Sequence, residues 1–459
     1  MSDVSSSKPD NIFLSGSIPI LFAKTAIPLS LVMMVNGLHT VVDAYFLGTY
    51  VGTQALTGVT LMFPLFMILV SLFTLVSNGF ASIYARAFGA NNHRIAKKII
   101  DSAIALALIV CGSLIVSFLV AGFQLALFLT NGSDELARIG YQYMAILILG
   151  SPLGFVLSIN IDRLRCEGLL PLMTVITLSS AFLNIFFDWL YVVQFGWGVA
   201  GSAYGTLTAQ LISLVVLVVY YTSKRGKLSF LNWRPVSFQW KSLIALGVPQ
   251  SLGYTGVSLA AAVTLFAIQL WAGSNYEVTA GAYGIITRMM TFTFLPLLGL
   301  SMALQSISGN NYGAQKHDRT AQTLKIAIII SLIYCGGVQA IYFLFSSQLG
   351  AIFVDDAATI ADVERIIPIV SMMFFLSGPL MMVGTFFQAI GDAARAGILM
   401  LAKTYLFAVP LTLILPYAMG EAGIWYASVF SEVLLLGLTF VIVFAHKRAA
   451  APATVLANT

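Results

Sequence analysis

Six ionisable side chains interrupt long apolar stretches of this chain: His39, Asp43, Asp188, Arg288, Lys403 and Glu432. Holding a charge in apolar surroundings is costly, so each is a candidate for function. Two carboxylates brought together there cannot both stay bare, and they would share a proton or a cation. Asn184 stands four residues before Asp188, and Asn36 and His39 stand seven and four residues before Asp43. On helices, these spacings place the groups on one face. Oxygens from Asp43, Asn184, Asp188 and Thr206 would suit a hard cation such as sodium. Lys403 and Glu432 fall in adjacent stretches, which suits an ion pair. The alternative for Glu432 is contact with a cationic ligand. Arg288 is read either as a neutralising charge for substrate-free states or a lipid head group, or as a side chain snorkelling outward. Other chemistries find no foothold. No metal-spaced cluster, nucleophile with a base, phosphate-cradling loop or Walker sequence occurs. An enzyme, direct ATP drive and a bound cofactor are therefore not expected; the implied partner ion is H⁺ or Na⁺. Cys111, Cys166 and Cys335 are scattered along apolar runs and read as small buried residues.

The elements that must position these groups are set by composition. Of 459 residues, 59% are hydrophobic and only 9% are charged, and the mean hydropathy is +0.93. A soluble domain carries roughly a quarter charged residues to face water. The solvent of this chain is therefore lipid. Crossing hydrocarbon takes about twenty apolar residues per helix. Twelve stretches qualify: 17–47, 54–84, 98–129, 137–160, 170–193, 198–222, 242–271, 278–307, 322–345, 363–389, 396–418 and 423–445. The short alternating segments of a barrel are missing. The expected fold is an all-α integral membrane protein.

Lys and Arg cluster at alternate junctions: Arg86, Arg94, Lys97, Lys98, Arg163, Arg165, Lys224, Arg225, Lys227, Arg234, Lys241, Lys316, Arg319, Lys325 and Arg395, then Lys447 and Arg448. The opposite junctions hold only Arg138 and Arg365. Basic residues mark the inside, so both termini are expected there. The net charge of +5 follows from this bias and gives no reason to expect nucleic acid. The polar start, Met1 to Asp10, lacks a basic region and cleavage site and does not read as a signal peptide.

Depth then joins the chemistry to the elements. Asp43 is late in the outward-running first span and Asp188 late in the outward-running fifth. Thr206 is early in the inward-running sixth, and Tyr143 early in the fourth. All four lie at comparable depth in the outer half of the membrane. Prolines 28, 64, 249, 296, 379 and 410 fall within spans and mark expected kinks.

The chain also repeats itself. Phe88-Gly-Ala-Asn-Asn-His-Arg94 matches Tyr312-Gly-Ala-Gln-Lys-His-Asp318. Gly198-Val-Ala-Gly-Ser-Ala-Tyr204 matches Gly420-Glu-Ala-Gly-Ile-Trp-Tyr426, and Ile27-Pro28 matches Val248-Pro249. All three offsets are about 222 residues and six spans, so the halves run parallel. The expected organisation is a tail (1–16), a first lobe (17–222), a cytoplasmic linker (223–241), a second lobe (242–446) and a tail (447–459). The second half departs from the first at the acids. It offers Thr264 opposite Asp43, and Phe407 and Leu411 opposite Asn184 and Asp188.

These residues resemble the multidrug and toxic compound extrusion (MATE) family over roughly residues 15–446. The resemblance is carried by Asn36 to Gly48, Arg86-Ala-Phe-Gly-Ala, Arg165-Cys-Glu-Gly and Gly309-Asn-Asn-Tyr-Gly-Ala. It is greatest to the DinF-like branch, because the acids concentrate in the first half. The resemblance implies two six-helix lobes in a V and coupled export of organic cations by alternating access. It implies a cation site at Asp43, Asn184, Asp188 and Thr206, with Asn36, His39, Tyr143, Arg288 and Glu432 as further network or substrate residues. It also implies a monomer in a bacterial inner membrane. The chain's 16 Met and 32 Phe suit a pliable drug cavity. The alternative is a flippase for a lipid-linked saccharide, which would need a more basic cavity.

Overall fold

The computed structural model describes residues 11–223 and 238–450. Lys224, Arg225, Lys227 and Arg234 of the expected linker, and most of both tails, lie outside them. Every regular element among the described residues is helical. In chain order these are α1 (Ile18–Phe46), α2 (Thr53–Leu61), α3 (Phe63–Gly89), α4 (His93–Leu129), α5 (Asp134–Leu149), α6 (Ser151–Cys166), α7 (Leu170–Asp188), α8 (Gly198–Thr222) and α9 (Trp240–Trp271). Then follow α10 (Tyr276–Gly313), α11 (His317–Leu344), α12 (Ser346–Ala351), α13 (Ala357–Ser371), α14 (Phe374–Ile390), α15 (Ala393–Leu401), α16 (Val409–Ile414), α17 (Pro416–Met419) and α18 (Ala422–Ala450).

Among the described residues, ten continuous helices are long and apolar enough to cross a membrane, and two bent pairs bring the total to as many as twelve. The bends have physical causes that hydropathy does not report. Between α5 and α6 the axis turns by 51°, where Gly150 is followed by Pro152, whose missing N–H cannot bond back to the preceding turn. Between α13 and α14 it turns by 44°. There the Gln339 amide donates to the Met372 carbonyl at 2.8 Å and accepts from Phe375 N at 3.0 Å, so a side chain fills the interrupted backbone ladder. The expected kink prolines divide into two groups. Pro28, Pro249, Pro296 and Pro379 lie inside helices, as does Pro368. Pro64 and Pro410 instead occupy first turns, where proline is tolerated. Three segments wind more widely than an α-helix: Leu47–Val51, Trp189–Gln194 and Ala402–Ala408. The first two follow Asp43 and Asp188, and the third contains Lys403. Wide turns of this kind are frequent at functional sites.

The chain divides into two compact units, one of residues 1–255, 294–326 and 388–393, the other of 256–293, 327–387 and 394–459. In the first unit α1 packs on α7, α7 on α8, and α3 on α4 and α6. Its core is built from Phe80, Tyr84, Phe155 and Ile159 with Leu243 and Leu246. Glycines let its backbones meet. A Cβ at Gly89 would stand 2.1 Å from Asn310 O, and one at Gly313 would stand 2.0 Å from Arg86 O. The two contacts are reciprocal, as repeated segments crossing one another require, and they use the small residues that membrane helices favour at close crossings. In the second unit α18 lies against α13, α16 and the Ala402–Ala408 segment, over a small core of Leu380, Ala402 and Leu435.

The repeat is also written in the backbone. Left-handed conformations occur at Asn91 and Gln315, at Gly168 and Gly391, and at Gly198 and Gly420. Each pair keeps nearly the offset of the sequence repeat. The Gly168 and Gly391 pair adds a fourth match, Arg165-Cys-Glu-Gly168 against Gln388-Ala-Ile-Gly391. The helix end before each glycine is capped alike. Asn310 Nδ2 donates to Cys166 O at 3.1 Å, and Arg86 Nη1 donates to Ile390 O at 2.7 Å.

Two basic residues counted at the junctions are not at a surface. Arg163 and Arg165 are 0% and 1% exposed. Arg163 pairs with Glu167 at 2.8 Å, Tyr84 donates to the same carboxylate oxygen at 2.6 Å, and the guanidinium stacks 3.9 Å from the Tyr221 ring centre. Arg165 pairs with Asp162 at 2.9 Å and donates to Ser306, Gln305 and the Met302 carbonyl. Buried charges persist only where they are paired and hydrogen-bonded, and both arginines meet that condition.

Candidate functional site

The face shared by α1, α7 and α8 collects the first-half acids. Asp43 lies in the last turn of α1 and Asp188 is the last residue of α7. The Asp188 side chain is fully buried, and its carboxyl is close enough to the Asp43 carboxyl, which is 15% exposed, for the two to interact. One turn before Asp188, buried Asn184 donates from Nδ2 to Thr206 Oγ1 of α8 at 3.0 Å. Tyr143 of α5 is buried and close enough to interact with Asp43, Asp188 and Ser202. His39 Nε2 stands 3.5 Å from Asp43 Oδ1, within ion-pair range but too long for a hydrogen bond. The structure therefore brings together Asp43, Asn184, Asp188, Thr206, Tyr143 and His39.

The partners of these atoms matter as much as their positions. Asp43 Oδ1, both carboxylate oxygens of Asp188 and Asn184 Oδ1 are buried and receive no donor from the protein. Two facing carboxylates supply acceptors only, so neither can satisfy the other without a proton or a cation between them. A buried acceptor without a donor costs about 1–3 kcal/mol, and more when it is charged. Four such oxygens in one place form a donor set for a hard cation or a proton. Among the described residues no group of three or more His, Cys, Asp or Glu could hold a metal. The set relies on two carboxylates and neutral oxygens.

A residue absent from the sequence reading shapes the site. Gly205 of α8 faces Asp188 so closely that a Cβ there would lie 2.3 Å from Asp188 Oδ1 and 3.2 Å from Asp188 N. The carboxylate occupies the space that the missing side chain leaves. The signal was available in the sequence only as one glycine beside Thr206 in a glycine-rich span.

Other candidates fall elsewhere. Asn36 is exposed, and its backbone carbonyl accepts from Thr40 at 3.4 Å; it is not drawn into the carboxylate pair. Arg288 is exposed and has no ion-pair partner among the described residues. In the second unit Glu432 is buried, accepts from the Ser377 hydroxyl and pairs with Lys403, whose ammonium also donates to Ser377 at 3.2 Å. Its second oxygen, Oε2, is buried without a donor. Thr264, opposite Asp43 in the repeat, donates to the Ala260 carbonyl at 2.8 Å, and Phe407 and Leu411 have no polar side-chain atoms. The only basic residues of the sparse junctions are both neutralised, Arg138 by Asp134 at 2.7 Å and Arg365 by Glu421 at 2.7 Å and Asp362 at 3.1 Å.

Comparison with known proteins adds independent findings. The MatE family model matches residues 28–190 and 255–414. The chain is 24% identical to the probable multidrug resistance protein YoeA of Bacillus subtilis, over 89% of this chain and 90% of that protein. It is 23% identical to human multidrug and toxin extrusion protein 1, over 94% of this chain and 76% of that protein. A solved structure described as the outward-facing conformation of a multidrug resistance MATE family transporter superposes with a TM-score of 0.86 at 23% identity, covering 96% of this chain and 98% of that one.

Proposed function

The chain belongs to the MATE family, whose members are membrane transporters and not enzymes, and on that premise we propose that it exports amphipathic organic cations by cation-coupled antiport. One observation carries the reading: Asp43 and Asp188 face each other with four buried oxygens, Asn184 Oδ1 included, that the protein leaves without donors. A site that must hold a proton or a cation, and whose charge changes when that ion leaves, can bias a two-state equilibrium. It does so only by its differential affinity for the two states. Loading from outside favours the state in which the carboxylates are close, and drug departs as the first-lobe helices rearrange. Asn184 and Thr206 orient around the pair, and Tyr143 closes it from α5.

Both H⁺ and Na⁺ fit the donor set, and the substrate class follows the multidrug names of the relatives. The working frame is a monomer in the inner membrane, built as two six-span lobes with both termini in the cytoplasm. The concentration of acids in the first half supports the DinF-like assignment. The flippase reading gains little, because Arg288 is a single exposed cation. The test is transport of a fluorescent organic cation in proteoliposomes under an imposed pH gradient, with and without sodium. Uphill export driven by at least one ion is expected. Drug movement indifferent to both gradients would overturn the proposal.

A further inference from the structure

A cavity of about 660 Å³ opens in the first unit where α3 ends and α4 and α9 begin. All of these are ends of apolar helices, so the cavity sits where hydrocarbon gives way to water. Its lining is divided in two. Ala87, Ile95, Ala245 and Ala393 form its accessible apolar side, over a floor of the buried Ile83, Ile99 and Leu246, and Arg86 and Lys241 bring two cations to it.

Neither cation is neutralised by an acid among the described residues. Arg86 spends Nε on the Ser82 carbonyl at 3.2 Å and Nη1 on the Ile390 carbonyl, which leaves guanidinium donors to spare. Lys241 is exposed in the first turn of α9 and has no partner among the described residues. Arg94 and Lys97, in the first turns of α4, also lack an acidic partner among the described residues, and their charge reinforces the same field. Two acids flank lining residues in sequence, Asp392 between Gly391 and Ala393 and Asp101 two residues past Ile99, and each already has a partner. The amino-terminal turns of α4 and α9 line the cavity too, and their positive ends add to the attraction for an anion. A free anion would use the cations and leave the apolar wall idle, whereas a neutral lipid would use the wall alone. An anionic phospholipid uses both.

We propose that this cavity is a binding site for an anionic phospholipid, with the phosphate held by Arg86 and Lys241 and an acyl chain along Ala87, Ile95, Ala245 and Ala393. The site is distinct from the carboxylate pair and does not depend on the coupling reading. Its occupant bridges α3, α4 and α9.

The full-length protein in a neutral detergent is titrated with phosphatidylglycerol, phosphatidylcholine or inorganic phosphate, and bound lipid is read by native mass spectrometry. Phosphatidylglycerol should be retained severalfold more tightly than phosphatidylcholine, and inorganic phosphate should not displace it. Lys241→Gln removes one surface charge and should weaken the anionic lipid about fivefold. Ala245 is an exposed lining residue, and Ala245→Trp would fill the cavity. It should abolish retention while leaving the melting temperature and elution volume unchanged. Equal retention of the two lipids, full displacement by phosphate alone, or wild-type retention in a folded Ala245→Trp protein would each overturn the assignment.

Discussion

Replacing Gly205 by alanine adds one methyl group at the most crowded point of the carboxylate site. The new Cβ would lie 2.3 Å from Asp188 Oδ1, where ordinary contact begins near 3.4 Å, so the carboxylate must retreat by roughly 1 Å. Overpacking of this kind typically costs about 1–3 kcal/mol of stability. The functional loss should be larger than that cost suggests, because Asp188 can retreat only by changing its approach to Asp43. A displacement of about 1 Å at a reacting group can remove two orders of magnitude in rate, and we expect ion-driven transport to fall at least roughly tenfold. Gly201 is the control. It lies one turn earlier on α8, and its Cβ would press on the Tyr191 backbone at 3.0 Å with no carboxylate involved. Melting curves in detergent and initial rates in proteoliposomes, measured where all proteins are folded, separate the two effects. Gly201→Ala should lose stability and keep coupling, whereas Gly205→Ala should lose coupling. If Gly205→Ala transports at the wild-type rate with the wild-type response to pH and sodium, the position of Asp188 against Gly205 does not set coupling.

Two further outcomes follow from the same physics. Lys403→Met should destabilise the protein by about 1–3 kcal/mol, because Glu432 would be left buried with only Ser377 as donor; the cost falls short of a fully buried pair because Lys403 keeps 39% exposure. The double variant Lys403→Met with Glu432→Gln should recover most of that stability and retain measurable efflux. A stable double variant without efflux would give the second unit a part in coupling. Cysteine labels at Thr49 to Gln54 should react from outside and labels at Ser223 to Lys227 only from inside, and outside labelling of the latter would reverse the orientation.

Much of the architecture was legible because lipid imposes so simple a rule. Twelve apolar runs against 9% charge set the class of the elements, and their count agrees with the ten continuous helices and two bent pairs among the described residues, since each backbone must satisfy its own hydrogen bonds in hydrocarbon. The convergence of Asp43, Asn184, Asp188, Thr206 and Tyr143 was legible from depth alone, because a span's direction and length assign each residue a level. Side-chain direction and packing were not legible. Asn36 shares the spacing of Asp43's face yet is exposed, because seven residues back along α1 carries it away from the carboxylate pair. Arg163 and Arg165 read as loop charges until Glu167 and Asp162 were found buried beside them. The spacing of Arg163 and Glu167, four residues apart on one helix face, was the missed signal. Gly205 could not be singled out, since its role depends on a carboxylate from another helix. The bend at Met372 depends on Gln339 from α11, a partner that no local pattern names.

In the proposed function, the Asp43 carboxyl couples ion movement to drug export. Asp43→Asn keeps the size and the hydrogen-bonding capacity of the group and removes its titration. The direct measurement is uphill transport of an organic cation by Asp43→Asn proteoliposomes, at matched protein content, alongside equilibrium binding of the same compound. The expected result is a folded protein that retains drug binding and loses gradient-driven transport. Wild-type pumping against the gradient by Asp43→Asn would contradict it.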